Sequence, residues 1–150
     1  MAAAQRALYG HSRAGHFDAP EFVKSVCETV KQTLPPQLAV TYDAEAVELS
    51  NDTAMPLALI LNELITNAAK YGVGQNGSGM IHVALTRKDD ATLSMEVADQ
   101  GPGFDLDEVR ERSSGVSIVQ GLARQLGGAL IVTRAPKSCC RIEFPQSVNP

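Results

Sequence analysis

The order of apolar and polar positions divides the chain into alternating helical and extended stretches. Phe22, Val23, Val26, Val30 and Leu34 recur at helical spacing and predict one buried helix face from near Asp18. Asp18 stands where a cap belongs, and Glu21 follows three residues later, as in a capping box. Pro35-Pro36 marks the stop. Leu38–Tyr42 and Ala46–Leu49 read as two short strands joined by a turn at Asp43-Ala44. A long helix is expected from about Thr53 to Tyr71, with Asp52 or Thr53 as its cap and Pro56 in its tolerant first turn. Residues 72–79 form a glycine-rich loop. Met80–Thr86 and Thr92–Ala98 read as strands around a turn at Lys88-Asp89-Asp90. Residues 99–114 read as irregular, with a helical turn around Leu106–Arg110. Val116–Leu126 reads as a helix ended by Gly127-Gly128. Leu130–Thr133 and Cys140–Phe144 complete the strands. Strands in hairpin-like pairs between helices predict an α+β fold, an α/β sandwich in which helices cover one face of a single sheet.

Composition narrows the function classes. The length of 150 residues suits one domain, and 44% hydrophobic residues suit a buried core. No apolar run reaches the roughly 18–20 residues that span a bilayer, and the first residues lack the pattern of a signal peptide. A cytoplasmic location and no membrane contact are expected. The formal charge of −4 argues against nucleic acid as a partner. A small phosphorylated ligand needs only a local positive field and stays open. The three cysteines, Cys27, Cys139 and Cys140, fit neither a zinc site nor a disulfide framework and are expected to be reduced and partly buried. His11, His16 and His82 have no metal-ligand spacing.

Three segments carry candidate chemistry. Glu63, Asn67 and Lys70 are spaced by four and three residues and so share one helix face. An acid, an amide and an amine in a row can hold a hydrated magnesium ion and a polyphosphate; a solvated face with a weak Glu–Lys pair has the same spacing. Asp99-Gln100-Gly101-Pro102-Gly103-Phe104 follows a strand. A carboxylate there can accept from an exocyclic amine, and Gly101 and Gly103 let the backbone approach a flat ligand; a plain turn uses the same residues. Ser113-Ser114-Gly115-Val116 opens a helix, where backbone amides favour phosphate, although serine capping alone accounts for it.

In their order, these segments resemble the GHKL ATPases, the superfamily of gyrase, heat-shock chaperone, histidine kinase and mismatch-repair ATPases. Residues 56–71 resemble the N box of histidine kinases, residues 97–104 the first glycine box, and residues 121–128 the run after the second. The short stretch between Phe104 and Ser113 is similar to the HWE-type kinases, whose lid is short. The resemblance covers residues 18–146 and implies a two-layer Bergerat-type ATP-binding fold with a mixed, mostly antiparallel sheet. It also implies roles. Glu63 would position or activate the attacking group. Asn67 would coordinate magnesium, and Lys70 and Tyr71 would approach the phosphates or the lid. Asp99 would bind the adenine amine in a pocket shaped by Gly101 and Gly103. Ser114, Gly115 and Val116 would hold the phosphates, and Ser138 would supply the hydroxyl near adenine. Ser113 and Lys137 stand where the family usually has glycine, and Ser114 where it usually has an apolar residue.

The cofactors implied are ATP and Mg2+. The partners implied are the dimerisation and phosphoacceptor domain of a parent kinase and a response regulator receiver domain. Ala7-Leu8-Tyr9-Gly10 resembles the end of a dimerisation helix, so residues 1–17 are expected to be its remnant and a linker, and residues 18–150 the catalytic domain. On that reading the chain is a piece of a longer protein, and the phosphoacceptor histidine lies elsewhere. Two other functions fit the pattern: a docking module that has lost nucleotide binding, and a serine kinase of the anti-sigma-factor type.

Overall fold

In the computed structural model, residues 16–71, 79–99, 114–133 and 138–146 are described. The elements are β1 (His16–Asp18), α1 (Ala19–Lys31), β2 (Leu38–Ala44), β3 (Glu48–Ser50), α2 (Asn51–Tyr71), β4 (Gly79–Arg87), β5 (Thr92–Asp99), α3 (Ser114–Gln125), β6 (Ala129–Thr133) and β7 (Ser138–Pro145). Five strands form one sheet in the order β2-β4-β5-β7-β6, and β1 and β3 form a separate two-stranded ribbon. Only β2–β4 is parallel within the five-stranded sheet; its other neighbours are antiparallel. The fold is the mixed, mostly antiparallel α+β sandwich that the pattern predicts.

Alternation along the strands decides which face the helices cover. Ile81, Val83 and Leu85 of β4, Leu93, Met95 and Val97 of β5, and Cys140, Ile142 and Phe144 of β7 share one side and are buried. They meet Phe22, Val23, Val26 and Val30 of α1, Leu57, Leu61, Leu64 and Ile65 of α2, and Val116, Val119 and Ala123 of α3 in one cluster. Burying each large side chain contributes about 1.5–3 kcal/mol. No described helix is long and apolar enough to cross a membrane.

Local chemistry sets the helix ends. Asp18 caps α1 as expected, its carboxylate accepting from the Glu21 amide at 3.3 Å. α1 ends at Lys31, four residues before Pro35, because a turn begins with Thr33 and Leu34 donating back to Val30 and Lys31. α3 closes as expected on Gly127, whose φ is +82°, with Gly127 donating to Arg124 and Gly128 to Ala123. These two bonds define a Schellman ending. The turn after β4 is also where it was expected: Asp89 Oδ1 accepts from the Ala91 amide at 2.9 Å.

The strand pairing and the start of α2 differ from expectation. β2 and β3 do not pair as a hairpin. β2 instead runs parallel to β4, and β3 pairs with β1, Leu49 facing Phe17. Burial explains the outcome: Phe17 and Leu49 both enter the core, which a β2–β3 hairpin would not achieve. Phe17 lies in the same core cluster as Leu49. α2 starts at Asn51, not near Thr53, so Asp52 and Thr53 lie inside it and Pro56 falls in its second turn. There the missing N–H leaves the Asp52 carbonyl without its helical donor. Residues 72–78, the expected turn at Leu106–Arg110 and residues 1–15 lie outside the described residues.

Candidate functional site

Four of the proposed residues lie on α2, and burial separates them. Asn67 is 3% exposed, Glu63 is half-buried and Lys70 is exposed, while Tyr71 ends the helix. The shared solvated face read from their spacing is therefore split. Asn67 is buried in the fold, and Lys70 remains exposed. Asn67 Nδ2 is fully buried and has no hydrogen-bond partner among the described residues. A buried amide left so costs about 1–3 kcal/mol, a cost that a bound polar ligand would remove.

Asp99 is the last residue of β5, and register sets its neighbours. It pairs with Ser138, the first residue of β7, and with Ile81 of β4. Asp99 is 7% and Ser138 2% exposed, both on the helix-covered side of the sheet by alternation. An acid and a hydroxyl thus sit side by side at one end of an otherwise apolar face. α2 packs against this same strand and against α3. Cys140, one strand alternation beyond Ser138, pairs with Val97 and extends that face beneath the two polar groups. Its thiol is pushed up to about 12 by burial first, then by the charges of Cys139 and Asp99. The negative field of Asp99 therefore reaches it. Sequence reasoning assigned Cys140 no part in the site; its parity with Ser138 on one strand was the available signal.

α3 begins at Ser114, and Gly115 and Val116 are buried at its start. The first four N–H groups of a helix have no partner within it, and the dipole there is positive. Ser114, Gly115 and Val116 lie at this positive end of the helix. Gly101, Gly103, Ser113 and Lys137 lie outside the described residues. No cluster of three or more His, Cys, Asp or Glu suited to a metal occurs among the described residues. Any cation here would rely on the Asn67 amide and on oxygens supplied by its ligand.

The residues present fit an adenine nucleotide. Asp99 offers an acceptor and Ser138 a hydroxyl beside it. Asn67 presents an unsatisfied amide, which can turn either its oxygen or its nitrogen outward. The profile of the family described as histidine kinase-, DNA gyrase B- and HSP90-like ATPase matches residues 52–148. The chain belongs to this family. Members of it bind ATP, and the matched range holds every proposed site residue. Among curated relatives, a blue-light-activated histidine kinase of Erythrobacter litoralis is 30% identical over 99 residues, 65% of this chain and 29% of its own. The sensor protein VraS of Staphylococcus aureus is 26% identical over 129 residues, 86% of this chain and 35% of its own. The chain thus spans about a third of the length of these relatives. An anti-sigma F factor of Heyndrickxia coagulans matches at 36% identity over only 55 residues, 36% of this chain. In structure, the histidine kinase domain of E. litoralis EL346 superposes with a TM-score of 0.81 at 21% identity, covering 96% of this chain and 70% of that one. The fold is that of histidine kinase catalytic domains.

Proposed function

We propose that this chain is the ATP-binding catalytic domain of a sensor histidine kinase, presenting the γ-phosphate of ATP to a histidine on a dimerisation domain. The observation that carries this reading is the buried Asp99–Ser138 pair at the end of the sheet face on which α2 packs, with the unsatisfied amide of Asn67 on that helix.

ATP with magnesium supplies the transferable phosphoryl group and the charge that neutralises it. The chain's own residues do the rest. Asp99 accepts from an exocyclic amine, and Ser138 adds a hydroxyl beside it. A purine with a carbonyl at that position would set an acceptor against the acceptor of Asp99, which selects adenine over guanine. Asn67 would hold the cation through its amide oxygen. Lys70, exposed one turn further on, adds positive charge near the phosphates, and Ser114, Gly115 and Val116 offer backbone amides at the start of α3. Glu63, half-buried one turn before Asn67, orients the attacking group. Phosphoryl transfer depends mainly on positioning and charge, so this domain binds ATP without a histidine of its own to modify. The partners are the dimerisation and phosphoacceptor domain and, after it, a receiver domain that takes the phosphoryl group on aspartate. The location is cytoplasmic.

Calorimetric titration with ATP and magnesium tests the reading. Binding is expected for the wild type, weaker binding for GTP, and at least a tenfold loss in Asp99→Asn. A folded wild type that takes up no ATP at millimolar concentration would overturn it and favour a docking module without nucleotide. The anti-sigma-factor relative supports a second reading, a serine kinase on the same fold. Phosphate incorporation into serine rather than into a histidine-bearing dimerisation domain would favour it.

A further inference from the structure

The five-stranded sheet has two edges, β2 and β6. β2 carries the exposed Asp43, a charge of the kind that blunts a sheet edge against further pairing. β6 carries neither charge nor proline: it reads Ala129-Leu130-Ile131-Val132-Thr133. Ile131, Val132 and Thr133 are β-branched, the type that suits strand pairing. Ile131 is 37% exposed, and Leu130 and Val132, on the side toward the helices, are only half-buried. α3 packs on β6 but leaves a groove of about 300 Å3 beside it, lined by Gln120 and Arg124 of α3 and by Ala129 and Leu130 of β6. Gln120 and Arg124 are four positions apart and so share the helix face over the groove. Arg124 is exposed and has no ion pair among the described residues.

We infer that β6 and this groove bind an extended segment of a partner protein, which adds a strand to the sheet along β6 and sets a carboxylate against Arg124. Three observations select that occupant. The first is the backbone. An edge strand presents a row of N–H and C=O groups with no strand beyond them, and an extended segment satisfies them by main-chain bonds. The second is side-chain parity. Side chains of an added strand alternate between the two faces of the sheet. Those on the helical side cover Leu130 and Val132 and enter the groove, and those on the other side cover Ile131. The third is charge. The one charged residue among those lining the groove is Arg124, and no acidic residue lines it among the described residues. A second copy pairing through its own β6 brings only alanine, leucine, isoleucine, valine and threonine to the edge, and no carboxylate for Arg124. The site stands apart from the proposed nucleotide residues. Leu130 pairs with Ile142, four positions along β7 from Ser138, about 13 Å of strand. This contact does not depend on nucleotide binding.

Amide NMR on the 150-residue chain tests it. The probes are two short synthetic peptides of alternating valine and threonine, one with glutamate and one with lysine at the centre. Titration with the glutamate peptide is expected to move the amide signals of Ala129–Thr133, Gln120 and Arg124, and to leave those of β2 in place. The lysine peptide is expected to bind about three- to fivefold more weakly, the scale of one exposed ion pair. In Arg124→Glu the order of the two peptides is expected to reverse. Arg124 is exposed and outside the core, so the variant keeps the fold, and an unchanged spectrum away from α3 and β6 verifies it. No movement of the β6 signals at millimolar glutamate peptide would overturn the inference. Equal affinity for the two peptides, unaltered in the variant, would overturn it as well. So would β6 signals that follow protein concentration without peptide, since they would assign the edge to a second copy of the chain.

Discussion

At the scale of single residues, Asn67 carries the sharpest trade between stability and function. Its side chain is buried, and its nitrogen lacks a partner among the described residues. A leucine of similar size removes the unpaired group at little steric cost. Without nucleotide, Asn67→Leu is therefore expected to unfold at the same urea concentration as the wild type or higher, by up to about 2 kcal/mol. Its affinity for ATP with magnesium is expected to fall at least tenfold. Urea unfolding followed by fluorescence of bound dye, with calorimetry alongside, measures both. A variant clearly less stable than wild type that still binds ATP normally would show that Asn67 is structural. Spacing alone could not make this distinction. Glu63, Asn67 and Lys70 share a helix face in projection, yet burial falls from Asn67 to Lys70 within one turn.

Elements show why some of the fold was legible and some was not. The ends of α1 and α3 were readable because Asp18 and Gly127-Gly128 act through bonds spanning three to five residues. The partners of β2 and β3 were not readable. Both segments suit short strands, and the three residues between them leave room for a turn. What separates them is non-local: β2 pairs with β4 some forty residues on, and β3 with β1 some thirty residues back. The Asp99–Ser138 pair has the same character. Each residue was a candidate by resemblance, but their adjacency follows from the β5–β7 register. The α3 terminus gives a prediction at this scale. A Cβ on Gly128 would collide with the carbonyl oxygen of Glu143 on β7, and the carbonyl carbon lies 3.1 Å away. Backbone held in a sheet cannot give way as a flexible side chain can. Gly128→Ala is expected to cost about 2–3 kcal/mol, seen as a lower denaturant midpoint. Gly121→Ala, with open space around it, is expected to leave the midpoint unchanged or raise it slightly, since alanine favours the helix by up to about 1 kcal/mol. Equal midpoints for the two variants would refute the packing argument.

For the whole molecule, pH and ligand act on the same folding equilibrium from opposite sides. Cys27 and Cys140 are buried, and burial pushes both thiols from 9.0 up to about 12, with the charges of Glu28 at Cys27 and of Cys139 and Asp99 at Cys140 adding to it. Below pH 9 both states hold these protons, and the thiols leave stability unchanged. Between about 9 and 12 the unfolded chain has released them and the folded chain has not, so stability falls as pH rises. A midpoint that declines steadily above pH 9, and declines less in Cys27→Ala, Cys140→Ala protein, is the expected result. None of the three cysteines is in a disulfide. At pH 8 a thiol reagent is therefore expected to modify half-buried Cys139 first and the other two only on unfolding. A ligand of the folded state works in the other direction. ATP with magnesium at a hundredfold excess over its dissociation constant adds about 2.7 kcal/mol to stability. For a chain of this size that raises the melting temperature by roughly 5–10 °C. The gain requires the site to exist only in the folded state. That condition holds here, because Asp99, Ser138 and Asn67 come from two strands and a helix that meet only on folding. Asp99→Asn is expected to melt near the wild-type temperature without nucleotide and to lose most of the ATP-induced rise. If the variant kept the full rise, ATP would be held somewhere other than the Asp99–Ser138 end of the sheet.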